Sequence, residues 1–222
     1  PAARFEFVNI DEDPVISINR GFSAPIKLTT DLAVSDLAFL AAHDADPFNR
    51  WQALQTISMR LLMDNVAALR SGRPIRGDDQ LMLALAAILD DTALEPAFVA
   101  LALVPPGEGD IAREIGRDID PDAIFRARAG LRAAIGQQLG PALTTLYDRM
   151  ALAGDYSPDA ESAGRRAVRN VAIDLLAATG KPAVITRVCR QYETANNMTD
   201  RMAALVTLSL HEVPDREHAL VD

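Results

Sequence analysis

The hydrophobic pattern from Ser35 onward is the feature that most restricts what this chain can fold into. Apolar residues recur there at spacings of three and four, which is the spacing of one buried face of an α-helix. The longest run begins at Pro47, stops at the SGRP segment from Ser71, and has as its apolar positions Trp51, Leu54, Ile57, Leu61, Leu62, Val66 and Leu69. Ala and Leu, which favour helices, dominate the composition, and only 5% of the residues are aromatic. The pattern therefore predicts a mainly α-helical protein.

Further helices follow with short connections between them. The same spacing predicts helices at about residues 35–45, 78–90, 95–103, 120–140, 141–154, 157–180, 182–195 and 198–212. Ser35, Asp120 and Thr199 are the predicted N-caps of three of them. Short loops favour antiparallel neighbours, and the sequence shows no strict repeat of roughly 33 to 34 residues. We therefore predict an irregular αα-superhelix, an α-solenoid of the ARM or HEAT type.

The first 30 residues follow a different pattern. Three short apolar runs, each bounded by Pro, Gly or Asp, predict β-strands joined by turns: RFEFVNI (4–10), PVISIN (14–19) and PIKLTT (25–30). Three such strands cannot bury both faces alone, so we interpret them as the last strands of a β-sandwich domain. We expect Phe22, Pro25 and Ile26 to pack where this domain meets the helices. Arg20 is expected to reach polar groups across that junction.

Charge and cysteine content exclude several classes of function. The 222 residues carry a formal net charge of -9 without a basic run, which argues against nucleic acid as a partner. Cys189 is the only cysteine, so no intrachain disulfide can form, and we predict that it is a small core residue. No apolar stretch approaches the ~18 to 20 residues of a membrane span, and no signal-peptide pattern is present. We expect a soluble, cytoplasmic protein that binds neither nucleic acid nor membrane.

One segment imitates a metal site. HEVPDREH begins with His211 and Glu212, like the H-E-x-x-H pattern in which two histidines one helical turn apart bind zinc. The fifth position is Asp215, and Pro214 breaks the helix between His211 and His218. The sequence therefore predicts no metal-binding, cofactor-binding or catalytic residue in these 222 residues.

His43 and two pairs of aspartates are explained by their positions at helix ends. His43 lies in the last turn of a predicted helix, where a cation interacts favourably with the terminal carbonyls. Asp78 and Asp79 lie at a predicted helix start, where the helix dipole favours acidic side chains. We expect Asp90 and Asp91, at a helix end, to be solvated.

Two polar clusters remain. The first lies near the start of a long predicted helix and contains Arg165, Arg166, Arg169 and Asn170. The second lies in a connection and contains Asn196, Asn197, Thr199 and Asp200. The first predicts buried bridges from arginine to carbonyls or carboxylates of adjacent helices, and the second predicts turn and cap interactions. A small-ligand pocket near Arg166 and Asn170, which lie one helical turn apart, is an alternative hypothesis.

Four strings in this order carry a resemblance to a known family: NRGFSAPIKL, NRWQALQ, RRAVRNVAIDLLAATG and YETANNMTDRMAAL. Together they resemble bacterial aminopeptidase N, of the M1 family of zinc metalloaminopeptidases, in the region where the β-sandwich domain meets the C-terminal helical domain. The resemblance extends from about Phe5 to the end of the chain. It implies C-terminal strands of a sandwich domain over residues 1–30 and the N-terminal portion of a superhelical domain over residues 31–222.

The resemblance implies a zinc-dependent enzyme that removes single residues from the N-termini of peptides. In that family the zinc ligands come from an HExxH helix and a downstream Glu, and a GxMEN-type strand holds the amino terminus of the substrate. Neither string occurs in these residues. The resemblance therefore implies zinc and peptide substrates for the full-length enzyme, an intramolecular contact with a catalytic domain, and no catalytic or metal residue in this segment.

The expected role of this segment is to enclose and gate the substrate chamber. The alternative is a free-standing α-solenoid that binds protein partners on its concave face.

Overall fold

The predicted helical array is confirmed. A computed structural model describes residues 4–26 and 28–221, so Lys27, inside the third predicted strand, lies outside the described residues, as do 1–3 and Asp222. The described residues form a 3-10 turn at Arg20–Phe22 and then eleven α-helices: α1 (Val34–His43), α2 (Pro47–Arg70), α3 (Asp79–Asp90), α4 (Pro96–Leu103), α5 (Glu108–Ile115), α6 (Pro121–Gln138), α7 (Gly140–Arg149), α8 (Ala160–Ala177), α9 (Pro182–Thr194), α10 (Met198–Ser209) and α11 (Pro214–Val221).

The three predicted strands are absent from residues 4–26 and 28–30, so the strand prediction is wrong for this part of the chain. A strand needs the backbone N–H and C=O groups of a neighbouring strand. This segment, which precedes α1, has no such neighbour among the described residues. Most of its apolar side chains remain in solvent: Phe5 is 81% exposed, and Phe7, Val8 and Ile10 are exposed as well, whereas Val15 packs against the helical core. The apolar pattern is present, but the helices leave most of it uncovered.

Local sequence signals set most helix starts. Four N-cap aspartates accept backbone N–H bonds from the first helical turn: Asp46, Asp78, Asp120 and Asp159. Asp120 is thus confirmed as a cap, whereas the predicted caps Ser35 and Thr199 are wrong. α1 already begins at Val34, and Asn197 caps α10 by accepting a 2.9 Å bond from the Asp200 N–H. An amide one residue before the helix forms that bond in place of the Thr199 hydroxyl, which lies inside the first turn.

α5 forms where the sequence pattern predicts a loop. Gly107 and Gly109 in the PPGEG segment indicate a loop, yet Ile111 is fully buried. The helix ends at Gly116, whose φ of 77° is the left-handed conformation that glycine adopts without strain. Burial of the Ile111 face therefore outweighs the low helix propensity of the glycines.

α8 lies at the centre of the array. It packs against α4, α6, α7, α9 and α10, while α2 packs against α1, α4 and α6. The three-to-four spacing of Val168, Val171, Ala172, Leu175 and Leu176 predicts one inward face of α8. This face is confirmed, since four of these residues are buried and Val171 is half-buried. Full burial of one such leucine contributes about 2 kcal/mol. Within residues 4–26 and 28–221, no helix is both long enough and apolar enough to cross a bilayer.

α6 approaches α8 so closely that a side chain at position 136 has no space. A Cβ added to Gly136 would lie 2.1 Å from the Leu175 carbonyl oxygen and 2.9 Å from the methyl carbon of Thr179. The carbonyl belongs to the backbone of α8, so no change of side-chain rotamer relieves the contact. The contact between the two helices therefore depends on this glycine.

The extended N-terminal segment is tied to the helices by Asp44. This residue is 8% exposed and accepts hydrogen bonds from the Ser17 hydroxyl, from the Arg20 guanidinium at 2.8 Å and from the Asp46 N–H at 2.8 Å. Asn49 of α2 donates to the Ser17 hydroxyl at 2.7 Å. The predicted reach of Arg20 toward polar groups of the helices is confirmed.

Hydrogen bonding lowers the pKa of Asp44. Burial raises the pKa of this carboxyl, but the hydrogen bonds from Ser17 and Asp46 and the positive charge of Arg20 outweigh burial, and the net pKa lies below the ordinary value of 3.8. The folded state therefore favours the carboxylate. Its contribution to stability is complete above the unfolded-state pKa and is lost as the pH falls through the lowered folded-state pKa.

We predict that Gly136→Ala lowers the free energy of unfolding by at least about 2 kcal/mol, because α6 and α8 must move apart. Gly109→Ala in α5 is the matched control, since a Cβ there meets nothing within 4 Å, and it should raise stability by about 0.5–1 kcal/mol. Urea unfolding followed by circular dichroism measures both values. An unchanged stability of Gly136→Ala would contradict the close approach.

We predict that Asp44→Asn lowers the free energy of unfolding by about 1–3 kcal/mol at neutral pH, because Ser17, Arg20 and the Asp46 N–H lose their buried, charged acceptor. Amide exchange in residues 17–23 should accelerate. The stability difference from the unmodified chain should shrink below about pH 4, where the carboxylate becomes protonated. Asp64→Asn, on the exposed side of α2, serves as the control. A difference that grows on acidification is the contrary result.

Candidate functional site

The HEVPDREH segment does not form the helical face that a zinc site needs. α10 ends at Ser209 and α11 begins at Pro214, so His211 lies in the connection and His218 lies in the next helix. Burial and the nearby Arg132 lower the pKa of His211. Among the described residues, no three His, Cys, Asp or Glu side chains are grouped so that they could hold a metal ion. This part of the chain therefore does not fit the zinc that the resemblance implies.

The helix-end interpretation applies to His43 and Asp78 but not to Asp91. His43 is the last residue of α1, and Asp78 accepts a 2.9 Å bond from the Leu81 N–H at the start of α3. Asp91 accepts a 3.2 Å hydrogen bond from the buried Arg50 guanidinium. The prediction that Asp91 is simply solvated is wrong, because an arginine of α2 reaches it.

Cys189 has the surroundings of a core residue. Its side chain is half-buried and packs against the core. Burial raises the pKa of the thiol, and the negative charges of Asp215 and Glu193 raise it further. A raised pKa keeps the thiol protonated and unreactive, so the predicted structural role is confirmed.

Parts of the two polar clusters of the sequence meet in one cavity, which we call the polar cavity. Asn170 of the first cluster lines a different cavity. The polar cavity has a volume of about 410 Å³ and lies between the start of α8, the loop 150–157 and the connection from α9 to α10. Its polar lining comprises Asp155, Tyr156, Ser157, Ser162, Arg166, Arg169, Gln191, Thr194, Asn196, Asn197 and Asp200. Segments far apart in the sequence thus contribute to a single site.

A connected hydrogen-bond network forms one wall of the polar cavity. Asn170 donates to the Asp200 carboxylate at 2.9 Å and accepts from Gln191 at 2.8 Å. Gln191 accepts in turn from the Tyr147 hydroxyl at 3.0 Å. Asn197 donates to the second oxygen of Asp200 at 2.9 Å. Both oxygens of the Asp200 carboxylate are therefore paired within the fold, and the network makes this wall rigid.

The three arginines at the head of α8 have different partners. Arg165 donates to two backbone carbonyls after α7, as the predicted bridge requires. Arg169 donates to the Tyr147 hydroxyl at 2.8 Å, and its guanidinium carbon lies 4.3 Å from the centre of that ring. Arg166 makes no hydrogen bond or ion pair with any residue of 4–26 or 28–221. The predicted polar bridge is therefore wrong for Arg166.

Arg166 is buried without a hydrogen-bonded partner. It is 4% exposed, and its Nε is wholly buried with no acceptor in the described part of the chain. Its guanidinium carbon lies 4.6 Å from the centre of the Tyr156 ring, a contact that contributes about 0.5–2 kcal/mol. Burying a guanidinium, which has five N–H donors, costs on the order of several kcal/mol in lost hydration free energy. The ring therefore offsets only part of the cost of burying Arg166.

The aromatic partners of these arginines were not predicted from the sequence. All three tyrosines of the chain pack against an arginine: Tyr147 against Arg169, Tyr156 against Arg166 and Tyr192 against Arg201. Burial raises the pKa of Tyr147, and the charge of Arg169 offsets this only in part. One sequence signal could have indicated these contacts: all three tyrosines lie in the half of the chain that contains the arginine cluster. Sequence spacing does not show which ring meets which arginine.

A second cavity of about 410 Å³ lies between α4, α6, α8 and α10 and is mainly apolar. Its apolar lining includes Leu103, Val104, Val171, Leu175, Met202, Val206 and Leu210. Arg132 pairs with Asp174 in this cavity, and Arg128 donates to the Pro106 carbonyl at 3.0 Å. Burial lowers the pKa of Arg128. The arginines here already have partners within the fold.

A groove of about 550 Å³ runs between the N-terminal segment, α2 and α5. Phe22 contacts Phe48 with a distance of 5.0 Å between ring centres, and Phe48 lies 5.9 Å from Trp51. Phe22 is nevertheless about half exposed, and so is Ile26. The predicted packing of Phe22 at this junction is present on one side of the ring, and the other side faces the groove.

The chain is similar in sequence to three curated bacterial proteins named aminopeptidase N. It is 39% identical to the protein of Caulobacter vibrioides, 31% to that of Escherichia coli and 30% to that of Haemophilus influenzae, over 96%, 96% and 98% of this chain. The chain spans about a quarter of the length of these relatives (24%, 24% and 25%). The resemblance that the four sequence strings carry is thus confirmed.

The fold is also similar to a solved structure, the crystal structure of Legionella pneumophila aminopeptidase A in complex with aspartic acid. The match has a TM-score of 0.82 and 25% sequence identity, and it covers 98% of this chain and 26% of the other. A family model described as "Domain of unknown function (DUF3458_C) ARM repeats" matches residues 34–222. The helical array is therefore of the ARM-repeat type that the sequence predicted, and the chain belongs to the DUF3458_C family of ARM-repeat domains.

Proposed function

We propose that this chain is a segment of an M1-type zinc aminopeptidase that removes N-terminal residues from peptides. The carrying observation is that the similarity to aminopeptidase N covers 96–98% of this chain. We assign residues 1–30 to the end of a β-sandwich domain and residues 31–222 to the first portion of a helical superhelical domain. A free-standing solenoid is less well supported, because this region makes up a quarter of each relative.

Zinc in this proposal is bound by residues outside this chain. It would supply the polarisation of the peptide carbonyl and the activation of water that metallopeptidases use. The residues described here contribute no ligand set, in agreement with the break at Pro214 between α10 and α11. Peptides are the proposed substrates and the cytoplasm the proposed location, and the net charge of -9 disfavours nucleic acid as a partner.

The proposed role of the helical array is to enclose and gate the substrate chamber. A rigid wall needs helices that do not slide, and the close contact at Gly136 supplies that rigidity on the α6 side of α8. Contact with a catalytic domain needs exposed apolar surface, and the groove beside Phe22, Phe48 and Trp51 offers it. Both properties support a wall that docks onto another domain of the same protein.

We predict that the full-length gene product hydrolyses alanyl and leucyl amides and that removing its metal with a chelator abolishes this activity. The 222-residue chain alone should bind no stoichiometric zinc and release no product, because residues 4–26 and 28–221 form no metal-ligand set. Metal analysis and an amide-release assay on both proteins test this. Metal-dependent turnover by the purified 222-residue chain would overturn the proposed division of labour, and an inactive full-length protein with intact metal would overturn the proposed activity.

We predict that residues 4–18 exchange their amide hydrogens slowly in the full-length protein and rapidly in the 222-residue chain. The reason is that the exposed Phe5, Phe7 and Val8 need a neighbouring sheet, which would pair the backbone groups as well. Hydrogen exchange with mass spectrometry measures the difference, and peptides from the buried face of α2 provide the internal control. Equal rates for residues 4–18 in both proteins would count against the sandwich assignment.

A further inference from the structure

The polar cavity contains a cation for which the fold provides no anion. Arg166 is 4% exposed, its Nε has no acceptor within the described residues, and its guanidinium lines the cavity. The guanidinium carbon of Arg166 lies 4.6 Å from the centre of the Tyr156 ring. A ring contact of this kind is not an N–H hydrogen bond, and no described residue accepts a hydrogen bond from this guanidinium. Arg166 therefore keeps its N–H donors for a ligand of the cavity.

The acidic residues of the cavity do not neutralise Arg166. Asp200 lines the cavity, but its two oxygens accept from Asn170 and Asn197. Asp155 is exposed and forms no ion pair with Arg166. Arg169, one turn along the same face of α8, also has a buried Nε without an acceptor in the described part of the chain. Both arginines line the polar cavity, and each has an Nε–H donor without an acceptor among the described residues.

The charge and size of the cavity restrict the ligand. Arg166 is the one guanidinium of the lining without a hydrogen-bonded partner among the described residues, whereas Arg169 already donates to Tyr147, so a dianion such as phosphate would meet a single unpaired cation. A single carboxylate needs only the two parallel N–H donors of one guanidinium. The volume of about 410 Å³ is in the range of small-molecule sites.

We propose that the polar cavity binds a small monocarboxylate, with Arg166 as the bidentate donor and Arg169 as a second donor. The amides and hydroxyls of Asn196, Thr194 and Ser157 line the remainder of the cavity and would contact the rest of the ligand. The proposed ligand site does not depend on the proposed enzymatic activity. It follows from the unpaired guanidinium and from the polar wall opposite.

The experiment uses the full-length gene product, with sodium propionate as the probe and sodium chloride at equal ionic strength as the reference. Propionate at about 50 mM, roughly tenfold above the millimolar Kd expected for so small a ligand, should slow amide exchange in peptides from residues 150–170 and 191–200. Arg166→Gln should abolish this protection, and Arg166→Lys should raise the apparent Kd by about tenfold, because it keeps the charge but loses the fork. Arg126→Gln on the exposed side of α6 should respond like the unmodified protein.

Several outcomes overturn the proposal. Protection by propionate that persists in Arg166→Gln places the ligand elsewhere. Protection by sulfate but not by propionate refutes the ligand class. If propionate has no effect and Arg166→Gln alone accelerates exchange in the same peptides, the arginine is paired with a carboxylate from another part of the protein. Unchanged exchange in α2 peptides confirms that the variant is folded, so a loss of protection then supports the site.

Discussion

Burial of α8 is the constraint on which the rest of the structure depends. Five helices pack against it, so nearly its whole circumference is enclosed. Such packing needs small residues at the closest contacts. Gly136 allows α6 to approach the backbone of α8. Gly164 allows α8 to approach α4, since a Cβ added to Gly164 would lie 3.1 Å from the backbone nitrogen of Ala97. The position of α8 in turn fixes where the loops at its start meet the connection from α9 to α10, which is where the polar cavity forms.

A helix enclosed on all sides also buries polar side chains, and most of those on α8 have partners within the fold. Arg165 reaches carbonyls, Asn170 and Asp174 accept or donate across helices, and Arg169 pairs with a tyrosine. These interactions compensate for lost hydration and make the packing specific. Arg166 differs because its surroundings supply a ring but no acceptor among the described residues. Arg165 therefore has a structural role, whereas Arg166, its neighbour on the same turn of α8, is a candidate for ligand binding.

The sequence predicted those features that depend on near neighbours. Pro47, Asp120 and the three-to-four spacing located α2 and α6, because caps and helical faces are local. The strands predicted between residues 4 and 30 do not form in residues 4–26 and 28–30 of this chain, since strand pairing depends on a partner that the local pattern does not contain. The two polar clusters could be identified from the sequence. Their meeting in one cavity could not be predicted, because it depends on how α8 and α10 pack. Tyr156 as the companion of Arg166 was unpredictable for the same reason.

The central claim is that this ARM-type array works as one part of a longer aminopeptidase, which is why its N-terminal segment carries apolar side chains that the helices leave exposed. The most direct measurement is the nucleotide sequence of the gene upstream of the codon for Pro1. The account predicts an HExxH segment followed by a downstream Glu in the same reading frame. A stop codon followed by a start codon close to Pro1 would contradict it.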